Sequence, residues 1–186
     1  MKAGRRLDIA IAEASAADIG FIMAAERREG YEHLVGRSEE AWHRAAIEDK
    51  RYAYFLALRG GERVGFAILR DWDAPEQVTH IKRIAVVEPG RGFGKAFLDL
   101  ILDEVFRRTQ AYRLSLGLFP ENLRARRAYE GVGFKAEGIS RGSAYFGGVN
   151  RDELVMAILR PEWRALRERS ASNGREEPAT IRTGAR

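Results

Sequence analysis

The stretch Ile81–Phe97, IKRIAVVEPGRGFGKAF, constrains the fold of this chain more than any other. Its first half is a β-branched apolar run that predicts a buried strand, and the amphipathic run Ala96–Arg107 predicts a helix. The turn between them reads GRGFGK at positions 90–95. Glycines let the backbone approach a ligand closely, successive N–H groups point at one spot, and a helix N-terminus adds about half a positive charge. With Arg91 and Lys95 beside it, this turn predicts a site for a phosphate-bearing ligand.

Two familiar phosphate-binding fingerprints do not match this turn. A nucleoside-triphosphate loop needs a glycine and a Ser/Thr where this chain has Pro89 and Ala96. The dinucleotide pattern GxGxxG fails because Lys95 or Phe97 stands where the third glycine belongs. The run Gly131–Ala136 reads GxGxxA, but it follows a predicted helix and precedes a strand, which is the reverse of the required order. A glycine-rich turn that binds nothing remains the alternative interpretation.

Length and composition predict one soluble globular domain. The 186 residues can build a full hydrophobic core, and 45% of them are hydrophobic and 32% charged. The absence of cysteine excludes disulfides, thiolate metal sites and a cysteine nucleophile, and it is consistent with a cytoplasmic location. The three scattered histidines predict no metal site, and no apolar run predicts a signal peptide or a membrane span. The last 23 residues contain six arginines and three glutamates and so carry +3 of the net charge of +5. The rest of the chain carries only +2, so nucleic acid is not an expected partner.

Hydrophobic periodicity predicts strands and helices that alternate along residues 7–163. Strands are predicted at 7–11, 52–59, 62–71, 79–87, 113–119, 134–140 and 153–159. Helices are predicted from Ser15 to Glu26, from Ser38 to Glu48, at 94–108 and 122–132, and from Pro161 onward. This order predicts a mixed α/β sheet in one domain over residues 1–169, followed by a disordered basic tail at 170–186.

A second motif, Asn122–Phe134, reads NLRARRAYEGVGF. On a helix Asn122 and Tyr129 are seven residues apart and lie on nearly the same face, with Arg126 between them. Each has a purely structural alternative, because Tyr129 could be a core tyrosine and Asn122 a helix cap.

Together the two segments resemble the GNAT superfamily of N-acetyltransferases. Gly92-Phe93-Gly94 matches the end of that family's Q/R-x-x-G-x-G/A signature, and residues 122–134 match its N-x-x-A-x-x-x-Y-x-x-x-G-F element at every defined position. The resemblance covers roughly residues 7–163. It implies an α/β fold with a mixed, mostly antiparallel sheet of about seven strands, a splayed central strand pair and flanking helices. One position departs, because Pro89 stands where the signature begins with Gln or Arg, and we expect Arg91 to supply the missing positive contact.

The resemblance also implies acetyl-CoA as co-substrate and direct attack by an amine on the thioester in a ternary complex. Backbone groups at two strand residues are expected to pair with the pantetheine arm, and the turn and the following helix are expected to bind the rest of the cofactor. The implied cofactor-binding residues are Val86, Val87, Arg91, Gly92, Phe93, Gly94, Lys95, Asn122 and Arg126. Tyr129 matches the family's general acid.

The general base is open at this stage, with Glu26 and His80 as candidates, Glu29 and Glu32 nearby, and a water chain or plain surface roles as alternatives. The acceptor is expected to be a small-molecule amine or a peptide N-terminus that contacts Arg27–Val35 and the hairpin at 145–151. The end of the chain resembles the branch with ribosomal-protein N-terminal acetyltransferases and small-molecule amine acetylators. A non-catalytic acyl-CoA-binding or regulatory module and a nucleotide-phosphate binder are kept as alternative functions. The oligomeric state is open, with a homodimer as one candidate assembly.

Overall fold

A seven-stranded sheet forms the centre of the protein, in a computed structural model that describes residues 8–173. The strands are β1 Ala10–Glu13, β2 Tyr52–Arg59, β3 Glu62–Arg70, β4 Val78–Val86, β5 Arg113–Leu118, β6 Lys135–Phe146 and β7 Val149–Leu159. The helices are α1 Ile19–Glu26, α2 Glu40–Glu48, α3 Phe93–Arg108, α4 Leu123–Glu130 and α5 Arg160–Asn173. The strand order is β1-β2-β3-β4-β5-β7-β6, and every pair is antiparallel except β4 with β5. The predicted fold class is confirmed.

The parallel pair β4–β5 is short, and its strands then separate. Pairing runs only from Val78 opposite Arg113 to Ile81 opposite Leu116. The rest of β4 continues along β3 without a partner on β5. An opening between the two strands results, which is the splayed central pair that the family resemblance implied.

A bulge in β4 lies at the beginning of this opening. Ile68 of β3 pairs with Arg83, while Leu69 pairs with Ile81, so Lys82 is the extra residue. A bulge turns neighbouring side chains toward one face. Accordingly the charged ends of Lys82 and Arg83 each lie 5.3 Å from the ring centre of Trp42.

Two hydrophobic cores fix the sheet between its helices. One face packs against α3, α4 and α5, and its fully buried side chains include Phe97, Ile101, Leu114, Met156 and Ile158. The other face of β2, β3 and β4 packs against α1 and α2, through Ile22, Tyr54, Phe66, Ile68 and Ala85. The strand ends that border the opening are therefore held from both sides.

Helix starts depend on contacts that the sequence does not reveal. The capping box at Ser15 is present, because the Asp18 carboxylate accepts a 2.8 Å hydrogen bond from the Ser15 N–H, but it opens a 3-10 turn before α1. The predicted cap at Ser38 is wrong, because Glu39 precedes the first residue of α2. The Ser38 N–H instead donates to the carboxylate of Glu26.

The C-terminal elements are longer than predicted. Strands β6 and β7 form one hairpin that turns at Gly147 and Gly148, both with positive φ, and extends well beyond the predicted strands. Helix α5 continues to Asn173, past the predicted domain end at residue 169. The remainder of the predicted disordered tail, 174–186, lies outside the described residues.

Candidate active site

A cavity of about 310 Å³ occupies the opening between β4 and β5. Its wall includes Val86 on β4, Gly117 on β5, the glycine turn, and Asn122 and Tyr129 at the two ends of α4. The first sequence motif ends at Phe97 and the second begins at Asn122, 25 positions later in the chain. They meet at one cavity because the splayed strands leave room between them.

The glycine turn has a backbone that side chains would strain. Gly90 has φ 89° and Gly92 has φ 82°, in the left-handed region that favours glycine. Gly92 is also the N-cap of the 16-residue helix α3, and both glycines line the cavity. The free N–H groups and the dipole of the first turn of α3 make this end of the cavity suitable for a phosphate.

The charge of the cavity wall agrees with an anionic ligand. Among the described lining residues the charged side chains are Lys82, Arg83, Lys95 and Arg124, all of them basic. A ligand with several phosphates, such as a coenzyme A ester, matches this wall better than a cation would.

Five of the nine expected cofactor-binding residues line the cavity: Val86, Gly92, Gly94, Lys95 and Asn122. Asn122 is also the helix cap considered above, because its Oδ1 accepts a 3.2 Å hydrogen bond from the Ala125 N–H.

The other four do not line the cavity. The Val87 N–H is used by the sheet and donates to the Val64 carbonyl at 2.8 Å, and the Phe93 side chain is buried under Arg59. Arg91 and Arg126 turn to carboxylates on their own segments, Glu88 at 3.2 Å and Glu130 at 2.8 Å. Arg91 does not line the cavity here, and its role in place of the missing signature residue stays a prediction. The basic side chains that do line the cavity include Lys95 and Arg124.

Val86 presents its backbone to the opening. The buried Tyr31 hydroxyl donates a 2.7 Å hydrogen bond to the Val86 carbonyl. Along a strand, the backbone N–H and C=O groups of successive residues point to opposite neighbours. The Val87 N–H donates to β3, so the N–H and C=O of Val86 point away from β3 and into the opening. Burial raises the pKa of Tyr31, against the effect of Arg124, so this hydroxyl keeps its proton at neutral pH. This hydrogen bond connects the loop after α1 to β4, which lines the cavity.

Tyr129 lies on α4 with 9% of its surface exposed, and it lines the cavity while packing against Phe134. Burial raises the pKa of Tyr129 well above its usual range. A phenol in that state is fully protonated at neutral pH, so it is available to donate a hydrogen bond or a proton into the cavity.

Glu26 lies outside the cavity wall, and its surroundings do not suit a general base. Its side chain is fully buried, and Arg83 Nη1 lies 2.7 Å from its Oε1. The Ser38 N–H donates to Oε2 at 3.1 Å, and His43 Nε2 lies 3.4 Å away. A carboxylate held in this way orients Arg83, which does line the cavity.

His80 also lies outside the cavity wall, in the paired part of β4, with its Nδ1 3.2 Å from the Ser115 hydroxyl. Burial, together with the positive charges of Arg70, Lys82 and Arg113, lowers the pKa of His80 to about 4. The imidazole is therefore neutral at pH 7 but a weak base. Neither candidate base lines the cavity, and their assignment as bases stays a prediction; Glu29 and Glu32 are exposed on the loop.

Two chain segments that the sequence predicts to contact the acceptor meet beside the cavity, and their role stays a prediction. Four residues of the loop between α1 and α2 line the cavity: Tyr31, Leu34, Val35 and Gly36. The β6–β7 hairpin reaches this loop through Arg151, whose Nη1 donates a 3.1 Å hydrogen bond to the His33 carbonyl. The same guanidinium stacks 3.5 Å from the ring centre of Phe119, after β5. We call this junction the Arg151 clasp.

Three charged cavity residues were missed by reasoning from the sequence: Lys82, Arg83 and Arg124. Lys82 and Arg83 carried a usable signal, since two adjacent charges interrupt an otherwise apolar strand. Such an interruption is typical of a bulge or of a strand that loses its neighbour. The position of Arg124 depends on tertiary contacts, and the sequence carries no such signal for it.

Within residues 8–173, no helix is both long and apolar enough to cross a bilayer. The same residues contain no cluster of three or more potential metal-binding side chains.

The chain is similar to several acetyltransferases. The profile of the Acetyltransferase (GNAT) family matches residues 17–134. The probable N-acetyltransferase YjcK of Bacillus subtilis is 36% identical over 73 residues, which are 39% of this chain and 40% of that protein. The matched stretch therefore spans well under half of this curated relative.

Two solved structures share the fold. Spermidine N-acetyltransferase from Vibrio cholerae, in complex with CoA and spermine, is 20% identical with a TM-score of 0.73, covering 84% of this chain and 98% of that one. The ribosomal-protein-S18-alanine N-acetyltransferase from Escherichia coli is 22% identical with a TM-score of 0.66, covering 81% and 93%. The family match over residues 17–134 is consistent with the splayed sheet and with the glycine turn at the N-terminus of α3. The chain belongs to the acetyltransferase (GNAT) family, whose co-substrate is acetyl-CoA.

Proposed function

We propose that this protein is an acetyl-CoA-dependent N-acetyltransferase that transfers the acetyl group to a primary amine by direct attack in a ternary complex. The acceptor is a small-molecule amine or a protein N-terminal α-amine. The observation that carries this proposal is the single cavity between β4 and β5, which joins a glycine turn and basic side chains to a protonated Tyr129.

The cavity can hold acetyl-CoA along its length. The pyrophosphate would lie against the N–H groups of residues 90–94, with Lys95 and Arg124 as counter-charges. The pantetheine arm would run along the free side of β4, where it takes the place of a neighbouring strand and meets the Val86 N–H.

The chemistry follows from the groups at the inner end of the cavity. The amine nitrogen attacks the thioester carbonyl, and the Val86 N–H stabilises the negative charge that develops on its oxygen. The C–S bond then breaks, and the Tyr129 hydroxyl supplies a proton to the departing sulfur. The chain has no cysteine, so an acyl-enzyme on sulfur plays no part.

The acceptor class is supported by the named relatives, which act on a polyamine and on a ribosomal-protein alanine. Both are amines, although they differ greatly in size. The loop 27–39 and the β6–β7 hairpin, which enclose the acceptor side here, would decide between them.

The test is thiol release from acetyl-CoA with a panel of amines, with thermal-shift titration of CoA in parallel. The panel contains spermidine, amino acids, an aminoglycoside and short peptides beginning with Ala, Ser or Met. Tyr129→Phe should lower kcat by roughly 10²–10⁴-fold, the usual range for loss of a proton donor, and should leave the affinity for CoA unchanged. An unchanged kcat would remove Tyr129 from the mechanism.

The second candidate function is a non-catalytic acyl-CoA-binding module on the same fold. Stabilisation by CoA without turnover of any amine in the panel would favour it. The protonated tyrosine on the cavity wall favours the enzyme, because a binding module has little use for a donor at that point.

A further inference from the structure

A carboxylate that the proposed mechanism does not yet use lies at the edge of the cavity. Glu153, on β7, extends over Gly117 of β5, and Oε1 of Glu153 lies 2.7 Å from the position that a Cβ on Gly117 would occupy. Gly117 itself lines the cavity where β5 leaves β4. The missing side chain at position 117 therefore creates the space that the Glu153 carboxylate fills.

The Glu153 carboxylate is held in place but not neutralised. The Ser143 hydroxyl, across the β6–β7 hairpin, donates a 2.8 Å hydrogen bond to Oε2. Within residues 8–173 no Lys, Arg or His forms an ion pair with it. A half-buried carboxylate in this state attracts a cation from solution.

The charge of the Glu153 carboxylate is felt by a residue that lines the cavity, Lys82. Burial lowers the pKa of Lys82, and the field of Glu153 opposes this shift from the other side of the opening. Among the described residues, the charged side chains that line the cavity are all basic. Glu153 does not line the cavity itself, but its carboxylate lies beside the lining residue Gly117 and brings a negative charge to that edge.

We propose that Glu153 is the residue that binds the acceptor's ammonium group and accepts its proton. This assignment rests on the proposed acetyltransferase function and makes the acceptor a cationic primary amine. It also places a proton acceptor directly beside the lining residue Gly117, whereas Glu26 is held by Arg83 and His80 lies in the paired part of β4.

The step balances in protons and electrons. The ammonium gives one proton to Glu153 Oε1, and the freed lone pair forms the C–N bond at the thioester carbon. As the C–S bond breaks, its electron pair goes to sulfur, and the Tyr129 hydroxyl protonates that sulfur. The second proton lost by nitrogen restores Tyr129, so the products are the acetamide, the free thiol and one proton on Glu153, which passes to solvent.

Three variants test the assignment. Glu153→Gln removes the charge and keeps the shape and the Ser143 contact. Gly117→Ala leaves Glu153 in the chain, but its new methyl group displaces the carboxylate from the cavity edge. Asp152→Asn is the matched control, because it removes one charge from the adjacent, exposed residue of the same strand, whose Oδ1 only accepts from the Gly142 N–H.

The measurement is kcat/KM for each amine of the panel that the wild-type protein acetylates, together with calorimetric titration of CoA. We expect Glu153→Gln to lower kcat/KM by at least 100-fold and Gly117→Ala to lower it in the same direction, with CoA affinity within threefold of wild type. Asp152→Asn should stay within threefold in both measurements. Retained CoA binding shows that a low rate is not caused by misfolding.

The two proposals fail in different ways. If the wild-type protein transfers acetyl to amines and Glu153→Gln does so equally well, the assignment of Glu153 is wrong while the proposed function stands. If the wild-type protein binds CoA and acetylates no amine, the proposed function fails and the assignment fails with it.

Discussion

Replacing Glu26 by Gln should destabilise the protein strongly, although the substitution keeps the size of the side chain. Glu26 is fully buried, and its main partner Arg83 has only 10% of its side chain exposed. Glutamine cannot balance the Arg83 charge, which would then be buried without a counter-ion. Removal of one partner from a buried pair costs about 3–5 kcal/mol of unfolding free energy.

A control variant distinguishes the loss of this buried pair from the loss of any one negative charge. For a domain of this length, 3–5 kcal/mol corresponds to a fall in Tm of roughly 6–20 °C. The matched control is Glu40→Gln, because Glu40 pairs with Arg44 on the surface of α2 with both side chains more than half exposed. Exposed pairs of this kind contribute about 0.3–0.5 kcal/mol.

Urea unfolding at pH 7, followed by tryptophan fluorescence, measures the difference. Trp42 reports on the site directly, because the Arg83 guanidinium lies 5.3 Å from its ring centre. The double variant Glu26→Gln/Arg83→Met should recover most of the loss, since it removes both charges and fills the space with an apolar side chain. If Glu26→Gln costs no more than Glu40→Gln, or if the double variant is less stable than the single one, the buried pair does not act as described.

Two further predictions concern stability. The pKa of His80 is about 4 in the folded protein, below its ordinary value of 6.5. Between these pH values the unfolded chain binds more protons, so the free energy of unfolding falls by up to roughly 3 kcal/mol as the pH drops from 6.5 to 4. The stability advantage of wild type over His80→Asn should therefore shrink between pH 7 and pH 4 in urea titrations, and a difference independent of pH would show that the imidazole is not buried as described. Gly65→Ala should cost about 1–3 kcal/mol, because the new Cβ would lie 2.7 Å from the Ala85 carbonyl oxygen, a backbone atom of the neighbouring strand. Gly20→Ala, with no atom within 4 Å of its new Cβ and a place inside α1, should instead stabilise by about 0.5–1 kcal/mol, and equal effects at both positions in thermal melts would contradict the packing of β3 on β4.

Local patterns were enough to predict most of the fold. The strands predicted at 52–59 and 62–71 form the hairpin of β2 and β3, which turns at Gly60 and Gly61 because two adjacent glycines readily adopt the positive φ that a tight turn needs. Helix α3 and its glycine turn were equally readable, since the strand, turn and helix are contiguous. The cap at Ser38 could not be read, because its N–H is bound by Glu26, a residue twelve positions away.

The candidate site was predictable where it follows one motif and not where it depends on packing. Gly92, Gly94 and Asn122 belong to contiguous signatures and line the cavity. Arg91 and Arg126 have the right charge, but nearby carboxylates hold them on the outside, and sequence spacing alone does not show which pairing is preferred. Glu153 was invisible for a further reason, because its position depends on an empty space at a glycine on another strand.

The Arg151 clasp has a consequence for how such a protein can change over evolutionary time. The segments that it joins, the loop 27–39 and the β6–β7 hairpin, are separated in the chain from the glycine turn and α4, and a hydrogen bond to a backbone carbonyl does not depend on the side chain at position 33. Apart from Tyr31, which holds the Val86 carbonyl, substitutions in either segment can therefore accumulate without disturbing the contacts expected to hold the coenzyme. Specificity for a new acceptor can therefore evolve through substitutions in these two surface segments, while the residues expected to bind the coenzyme stay the same.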